Sequence, residues 1–440
     1  MPKHRIIHVG ESVPRKKEWT EIARAYQEVI VPNPAYQELA SAVTAEVKGK
    51  KIVDLGCGTG FQLKLLLDQD FSREVVGVDS GIEMLDIALE ELVKYHNDKD
   101  FRLYHGDATV FNAEKYFDAA ISTNVLFNLE KPMDYFDNAY SLLSPGGILV
   151  ISSPFEIADI EARKREMEQH FKREGTYKQK RKFIETVWEV NRRFPASKPN
   201  LYSHERMKKI LLNFIGFDKI LAEHTVYFHN FLIAAQKETE SKQIRFEITN
   251  SPERLEQGFK LRYHWLHERY GVIQENPDCT YRDEYDRDNI GCFAIEEGTD
   301  KIIGFVNYIS PGKELPFVHR SLADVKRKYP RVGAFNGYYV VRTKQRKGIG
   351  TFIQVLLMHW LSEQGIDAAV AEANPNIVRL IEKTGGEFLG KAFDTTRGKP
   401  RRSLPVLYDL TSKKTQNIIQ KEIRIYEEIY GKPSIKIKVY

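Results

Sequence analysis

The sequence predicts an α/β protein built as two successive domains, and three observations carry that prediction. Short apolar runs alternate with longer amphipathic stretches in both halves of the 440-residue chain. A glycine-rich turn joins an apolar strand to a helix twice, as VDLGCGTG at 53–60 and as QRKGIG at 345–350. Between these turns the polar stretch KETESKQ, 237–243, has no apolar anchor and reads as a linker. The chain is well beyond the roughly 150 residues of a typical domain. Each half is therefore expected to bury its own core.

In the first half, KIVDLG and EVVGVD read as strands, with FQLKLLLDQ and IEMLDIALEELVKYH as the helices that follow them. FRLYHGDA and FDAAISTN are further strands, YFDNAYSLL is a helix, and GGILVISSP is a strand again. Such alternation predicts a mostly parallel sheet covered on both faces. A charged helical stretch from 155 to 200 interrupts the rhythm, which HERMKKILLNFIGF, KILAEHTVYFH and NFLIAAQK then restore. The second half opens with the strand RFEIT and the helix PERLEQGFKLRYHWLHERYG, followed by the strands GCFAIEE, KIIGFVNYI and GAFNGYYVV. After its glycine turn come the helix GTFIQVLLMHWLSEQG, the strand AAVAEA, the helix NPNIVRLIEKTGG and a strand near PVLYDL. The tail adds an amphipathic helix, NIIQKEIRIYEEIYG, and SIKIKVY, which alternates like an edge strand. The predicted divisions are 1–237, a linker at 238–243, 244–411, and a C-terminal extension at 412–440.

Composition narrows the function classes. Hydrophobic residues make up 42% and charged residues 29%, which argues against wholesale disorder. Lysine and arginine number 66 against 61 acidic residues, so net charge does not announce a nucleic-acid binder. Cys57, Cys279 and Cys292 are too few and too scattered for a disulfide framework or a zinc site, and no metal is expected. There is no signal-peptide core and no uninterrupted apolar run of about 18 residues. A cytoplasmic protein with no membrane partner is expected.

VDLGCGTG follows a strand and opens a helix, where glycines permit close backbone approach to a nucleotide. Asp79 ends the next strand, where a carboxylate can accept hydrogen bonds from ribose hydroxyls. Asp107, in GDA, ends the third, where a side chain can meet an adenine amine. These residues, with SPGGILVIS, resemble the class I S-adenosylmethionine-dependent methyltransferases, a Rossmann-like fold, over roughly 20–237. The resemblance implies that Asp54 and the glycines Gly56, Gly58 and Gly60 lie at the methionine portion of that cofactor, that Asp79 holds its ribose, and that Met84 and Asp107 border its adenine. A dinucleotide dehydrogenase is the main alternative, and it lacks its usual sequel. STNVLFNL follows the fourth strand without the motif associated with amino methylation of DNA bases, so a small-molecule acceptor is expected. Asn124 either lines the transfer site or bonds backbone at a strand end. The 155–200 insert, with Tyr177 and Trp188, is a candidate lid, joined by Tyr202 just beyond it; its charges could equally be a solvated helical face.

In the second turn, Gln345, Gly348 and Gly350 form Q-x-x-G-x-G ahead of an amphipathic helix. Free amide donors at a helix start, with Arg346 and Lys347, suit a pyrophosphate. The pattern resembles the acyl-coenzyme A-dependent N-acyltransferases of the GNAT superfamily over about 244–411. The resemblance implies that Gly348, Gly350 and Thr351 cradle the cofactor phosphates, that Tyr339 to Val341 pair with the pantetheine arm, and that Asn374 or Asn376 approaches the thiol. LRYHWLHERYG and DEYDRDNIGCFAI look like the opening of N-acyl amino acid synthases and autoinducer synthases, with Arg262, Asp283 and Asp286 at matching positions. Asn307 stands where that group commonly has arginine and Asn336 where it often has glutamate, which leaves only the acyl-transfer class. Candidate bases for deprotonating an amine are Glu268, Asp283 and Glu372, each of which could instead be an ion-pairing carboxylate. Tyr338 and Tyr339 are candidate proton donors to the leaving thiolate, with a core role as the alternative. The basic patch RGKPRRS, 397–403, either meets a phosphate or an acyl carrier protein or is a solvated loop.

Together these readings predict a bifunctional transferase. It would use S-adenosylmethionine and acetyl-CoA or a longer acyl-CoA on an amine or amino-acid-derived small molecule. The alternatives are one active domain with the other as a regulatory ligand-binding module, or a modifier of protein or RNA.

Overall fold

Short runs of consecutively buried residues build two separate sheets, one in each of two compact units, Met1–Glu240 and Ser241–Tyr440. The computed structural model describes residues 6–9, 17–70, 72–96, 101–113, 116–156, 159–193, 200–227, 229–239, 243–269, 271, 273–274, 276–286, 289–317, 319–341, 348–395 and 401–439.

The first unit contains β1 (Ile6–His8), β2 (Lys51–Leu55), β3 (Glu74–Asp79), β4 (Phe101–His105), β5 (Phe117–Thr123), β6 (Leu143–Pro154), β7 (Lys219–Val226) and β8 (Asn230–Gln236). Their order across the sheet is β1-β4-β3-β2-β5-β6-β8-β7. Every pairing is parallel except those made by β8. The helices are α1 (Lys17–Ala25), α2 (Pro34–Glu46), α3 (Phe61–Gln69), α4 (Ile82–His96), α5 (Pro132–Leu142), α6 (Ile160–Arg173) and α7 (Tyr177–Arg193), with a further short helical stretch from His204 to Ile215. Ile52, Val75, Leu103, Ile121 and Val150 on the strands bury against Leu63, Leu66 and Leu85 on α3 and α4. The pattern assigned no element before Lys51, yet α1 and α2 are there. Asn33 caps α2 by accepting the Ala35 N–H, and Pro34 starts its first turn. The 155–200 stretch is the hairpin α6–α7, with its own small core of Met167, Phe171, Ile184 and Trp188 closed by Ala25 and Val29.

The second unit contains β9 (Ile244–Thr249), β10 (Ile290–Glu296), β11 (Lys301–Ile309), β12 (Val332–Val340), β13 (Ala368–Ala373), β14 (Glu387–Phe388), β15 (Phe393–Thr395), β16 (Arg401–Asp409) and β17 (Ser434–Lys438). The main order is β14-β16-β13-β12-β11-β10-β9-β17, with β15 on β16. Strands β9 to β12 are antiparallel in sequence order, and β12 meets β13 in parallel. The tail strand β17 closes one edge, parallel to β9. The helices Pro252–His264, Ile349–Glu363 and Lys413–Tyr430 cover the sheet. Phe352 and Tyr426 stack at 3.9 Å between the last two. No helix of the described residues is long and apolar enough to cross a membrane.

Candidate active sites

In the first unit the strand order reverses at β2, with β3 and β4 on one side and β5 and β6 on the other. Open α/β sheets bind ligands at such a switch point, beyond the strand carboxyl ends. A cavity of about 310 Å³ lies there. Asp54, Gly56, Gly58, Asp79, Met84, Asp107 and Asn124 all line it. Gly56 and Cys57 donate their N–H groups to Val78 O, at 2.7 and 3.1 Å, which pins the turn to the end of β3. The Asp79 carboxylate accepts the Gly58 N–H and the Gly81 N–H, each at 2.8 Å. Burial raises its pKa, while these two donors and His105 oppose the rise. Gly56 has φ +90, and a Cβ there would meet Val125 Cγ2 at 2.3 Å, so the close approach and the left-handed backbone both require glycine. Gly60 stands outside the lining. Its left-handed φ of +77 starts α3, and a Cβ would meet the Ala88 Cβ of α4 at 2.9 Å, so packing between helices constrains it.

Asp54 is 2% exposed. Burial, and secondarily Asp79, push its carboxyl up to about 8. Its Oδ1 atom is buried without a hydrogen-bond partner. Such a carboxyl fits the cationic end of an amino-acid-bearing ligand, which would favour the ionised form. A raised carboxyl pKa means the folded state holds a proton that the unfolded chain has released, so stability is present at low pH and is lost as pH rises from about 4 to 8. Asp54→Asn is expected to raise the ligand-free melting temperature at pH 8 and to reduce that fall. Thermal unfolding across this window checks it, and an unchanged profile would contradict the assignment.

The cavity also holds residues that sequence reasoning missed. Tyr26, Tyr36 and Tyr227 line it from the amino-terminal segment and from the turn after β7. Tyr36 stands edge-on to the other two, at 5.8 and 6.3 Å between ring centroids. Arg163 of α6 also lines the cavity and lies 5.2 Å from the Tyr227 ring centroid. Asn124, with φ +58, donates its N–H to Ser152 O at 2.9 Å, and its Oδ1 accepts the Asn230 side-chain amide at 2.7 Å. It therefore both lines the site and is held at the strand end. From the α6–α7 hairpin, Arg163 and Val187 line the cavity; Tyr177, Trp188 and Tyr202 do not. Trp188 fills the hairpin core, Tyr177 lies under Lys172, and Tyr202 lies under Arg206.

In the second unit β12 pairs with β13 only over Val332–Ala334 against Ala368–Val370, although β12 continues to Val340 and β13 to Ala373. Beyond Ala334 the two strands share no ladder among the described residues. The two strands diverge there. A register shift against β11 between Val306 and Tyr308, and Gly337 at φ +130, accompany the divergence. Val341, just past β12, is buried and donates its N–H to Ile303 O at 2.8 Å. The Ile349–Glu363 helix starts beside this opening, with Gly348 at φ +73 as its cap. The first-turn N–H groups of Ile349, Gly350 and Thr351 precede the first i→i−4 bond, from Phe352 N to Gly348 O, and suit an anion. Gln345, Arg346 and Lys347 lie outside the described residues, as do 397–400 of the basic patch. A Cβ on Gly350 would fall 1.5 Å from the Tyr338 hydroxyl. Gly350→Ala is therefore expected to cost about 1–3 kcal/mol of stability and to weaken acyl-coenzyme A binding. Tyr338→Phe should restore part of the loss, and denaturant titration of the single and double variants checks this.

Arg262 anchors a buried polar cluster. Its Nη1 donates to Asp286 Oδ2 at 2.7 Å and its Nη2 to Asp283 Oδ2 at 2.5 Å. Asn336 donates to both carboxylates at 3.2–3.3 Å, and Asn307 to Asp286 at 2.9 Å. Although burial opposes it, Arg262 and Asn336 hold Asp283 below the usual carboxylate range; burial raises Asp286. The two asparagines that depart from the synthase pattern replace one positive and one negative side chain, so the balance of charge around the aspartates is kept. Asp283 is thus committed to an ion pair. Burial works to lower the Arg262 pKa, but Tyr339, opposite Phe305, and the two aspartates raise it overall. Glu372 is half-buried on β13, Asn374 is exposed at its end, and Glu268 sits on the single turn after the Pro252–His264 helix.

Comparison with known proteins agrees with this division. A methyltransferase domain family matches residues 53–151, and the acetyltransferase (GNAT) family matches residues 259–386. Curated relatives include a tRNA U34 carboxymethyltransferase of Hydrogenovibrio crunogenus, 29% identical over 25% of this chain and 33% of its own length. A demethylmenaquinone methyltransferase of Tropheryma whipplei is 25% identical over 33% of this chain and 61% of its own. A ubiquinone biosynthesis O-methyltransferase of Dinoroseobacter shibae is 29% identical over 35% and 56%. The chain thus spans between about a third and three-fifths of the length of these relatives. The polypeptide joins a methyltransferase domain to a GNAT acetyltransferase domain, and the cosubstrates that belong to these domains are S-adenosylmethionine and an acyl-coenzyme A.

Proposed function

We propose that this protein is a bifunctional transferase that methylates and N-acylates an amine or amino-acid-derived small molecule within one biosynthetic sequence. The observation that carries the reading is that in each unit a glycine turn starts a helix at the point where the sheet opens. In the first unit that opening is the switch point at β2, and in the second it is the divergence of β12 from β13.

S-adenosylmethionine supplies an electrophilic methyl group. Around it the chain's own residues would bind and orient: Asp54 the ammonium, Asp79 the ribose, Met84 and Asp107 the adenine. In the second unit the β12 backbone to Val341 would align the pantetheine amides. Gly348, Gly350 and Thr351, with Gln345, Arg346 and Lys347, would take the phosphates, and Asn374 would stand near the thiol. With Asp283 held in its ion pair, Glu372 and Glu268 are the remaining candidates for receiving the amine proton, and Tyr339 for returning one to the thiolate. The curated relatives are named for acceptors as unlike as tRNA and quinones, so their names do not choose an acceptor.

The test is mass spectrometry of a metabolite extract incubated with purified protein, S-adenosylmethionine and acyl-coenzyme A, separately and together. A product gaining both a methyl and an acyl mass is expected. Label retained on protein or RNA would overturn the small-molecule reading.

A further inference from the structure

The cavity of the first unit is lined by charged side chains of both signs. Its acidic side chains are Asp54 in β2, Asp79 at the end of β3 and Asp107 just after β4. Among the described residues that line it, Arg163 is the one basic side chain, delivered by the inserted hairpin. A guanidinium on a cavity wall built partly of tyrosine rings is suited to a planar anion, which it can meet with two parallel N–H groups. Tyr227 stands beside it, and Tyr36 is nearly perpendicular to Tyr227 and to Tyr26, at 82° and 88°. Burial keeps the Tyr26 and Tyr36 phenols neutral, the latter raised to about 12. They can therefore exchange hydrogen bonds with an amine. Asn230 also lines the cavity, wholly buried, and its side-chain oxygen has no hydrogen-bond partner although its amide nitrogen is spent on Asn124. An N–H donor on a ligand would satisfy it. No histidine, lysine or glutamate is among the described lining residues.

We infer that the methyl acceptor of the first unit is a small molecule carrying both a carboxylate and an amine, that is, an amino acid or a close derivative. Arg163 takes the carboxylate, while Tyr26, Tyr36 and Asn230 orient the nitrogen. The nitrogen, already deprotonated when it binds, gives its lone pair to form the N–CH₃ bond. The C–S bond breaks as that bond forms, the electron pair leaves with sulfur to give S-adenosylhomocysteine, and one N–H proton passes to solvent. The inference rests on the reading that this unit binds S-adenosylmethionine.

The test uses the full chain. S-adenosylmethionine binding is measured first by calorimetry, and its absence would defeat the underlying reading rather than this inference. Methyl transfer is then measured with labelled S-adenosylmethionine to the twenty standard amino acids, β-alanine and γ-aminobutyrate, each beside its decarboxylated amine. Transfer to the nitrogen of at least one carboxylated amine is expected, with kcat/KM at least tenfold above that of its decarboxylated partner. Arg163→Gln should bring the two to the same level through KM, Arg163→Lys should restore part of the preference, and S-adenosylmethionine affinity should stay within twofold. Methylation of no carboxylated amine, equal use of the decarboxylated partners, or a comparable loss of S-adenosylmethionine affinity in Arg163→Gln would overturn it.

Discussion

Asp79→Ala is expected to weaken S-adenosylmethionine binding by about 100-fold, the worth of two charge-assisted hydrogen bonds at roughly 1.4 kcal/mol per decade. The carboxylate has two tasks in one place. It accepts the backbone N–H groups of Gly58 and Gly81, and so sets the path of the glycine turn before any ligand arrives. Its oxygens keep further acceptor capacity for ribose hydroxyls. Asp79→Asn keeps the shape but loses the charge and, in either amide orientation, faces a backbone donor, of Gly58 or of Gly81, with a donor. It should fall between wild type and alanine. Calorimetric titration of the three proteins reads the effect, and acyl-coenzyme A binding should be unchanged in all of them. Equal S-adenosylmethionine affinity in wild type and Asp79→Ala would remove the ribose assignment.

The second large effect is on stability. Arg262→Ala leaves Asp283 and Asp286 without their cation in a site where Arg262 and Asp286 are 5% and 9% exposed. Breaking a buried pair in this way costs about 3–5 kcal/mol. Because the loss is an uncompensated anion, Asp286→Asn in the Arg262→Ala background should recover part of it. The deficit should also shrink as pH falls through the raised Asp286 pKa. Denaturant unfolding at two pH values checks both statements, and a second substitution that adds to the first would contradict the coupling.

Much of the fold was legible because its signals are local. The short apolar runs of β2, β3 and β5 and the glycine turns that follow β2 and β12 are short-range patterns. They place Asp54, Gly56, Gly58 and Asp79 without knowledge of the rest of the chain. The rest of the first cavity's lining was not legible. Tyr26, Arg163, Tyr227 and Asn230 come from four separate elements, and nothing in the neighbourhood of any one of them distinguishes it from a surface or core residue. Trp188 shows the converse error: an aromatic in a charged insert looked like a lid over the acceptor, yet it fills the hairpin's own core. In the second unit the sequence marked Asn307 and Asn336 as departures from a pattern. Their meaning emerges only in three dimensions, where both donate to the aspartates that Arg262 pairs.

Titration of the full chain with S-adenosylmethionine in the presence and absence of saturating acetyl-CoA, and the reverse, tests the claim of two separate cosubstrate sites most directly. Two one-to-one bindings are predicted, the first abolished by Asp79→Ala and the second weakened by Gly350→Ala, with neither variant disturbing the other ligand. Mutual displacement of the two ligands, or binding of only one of them, would contradict it.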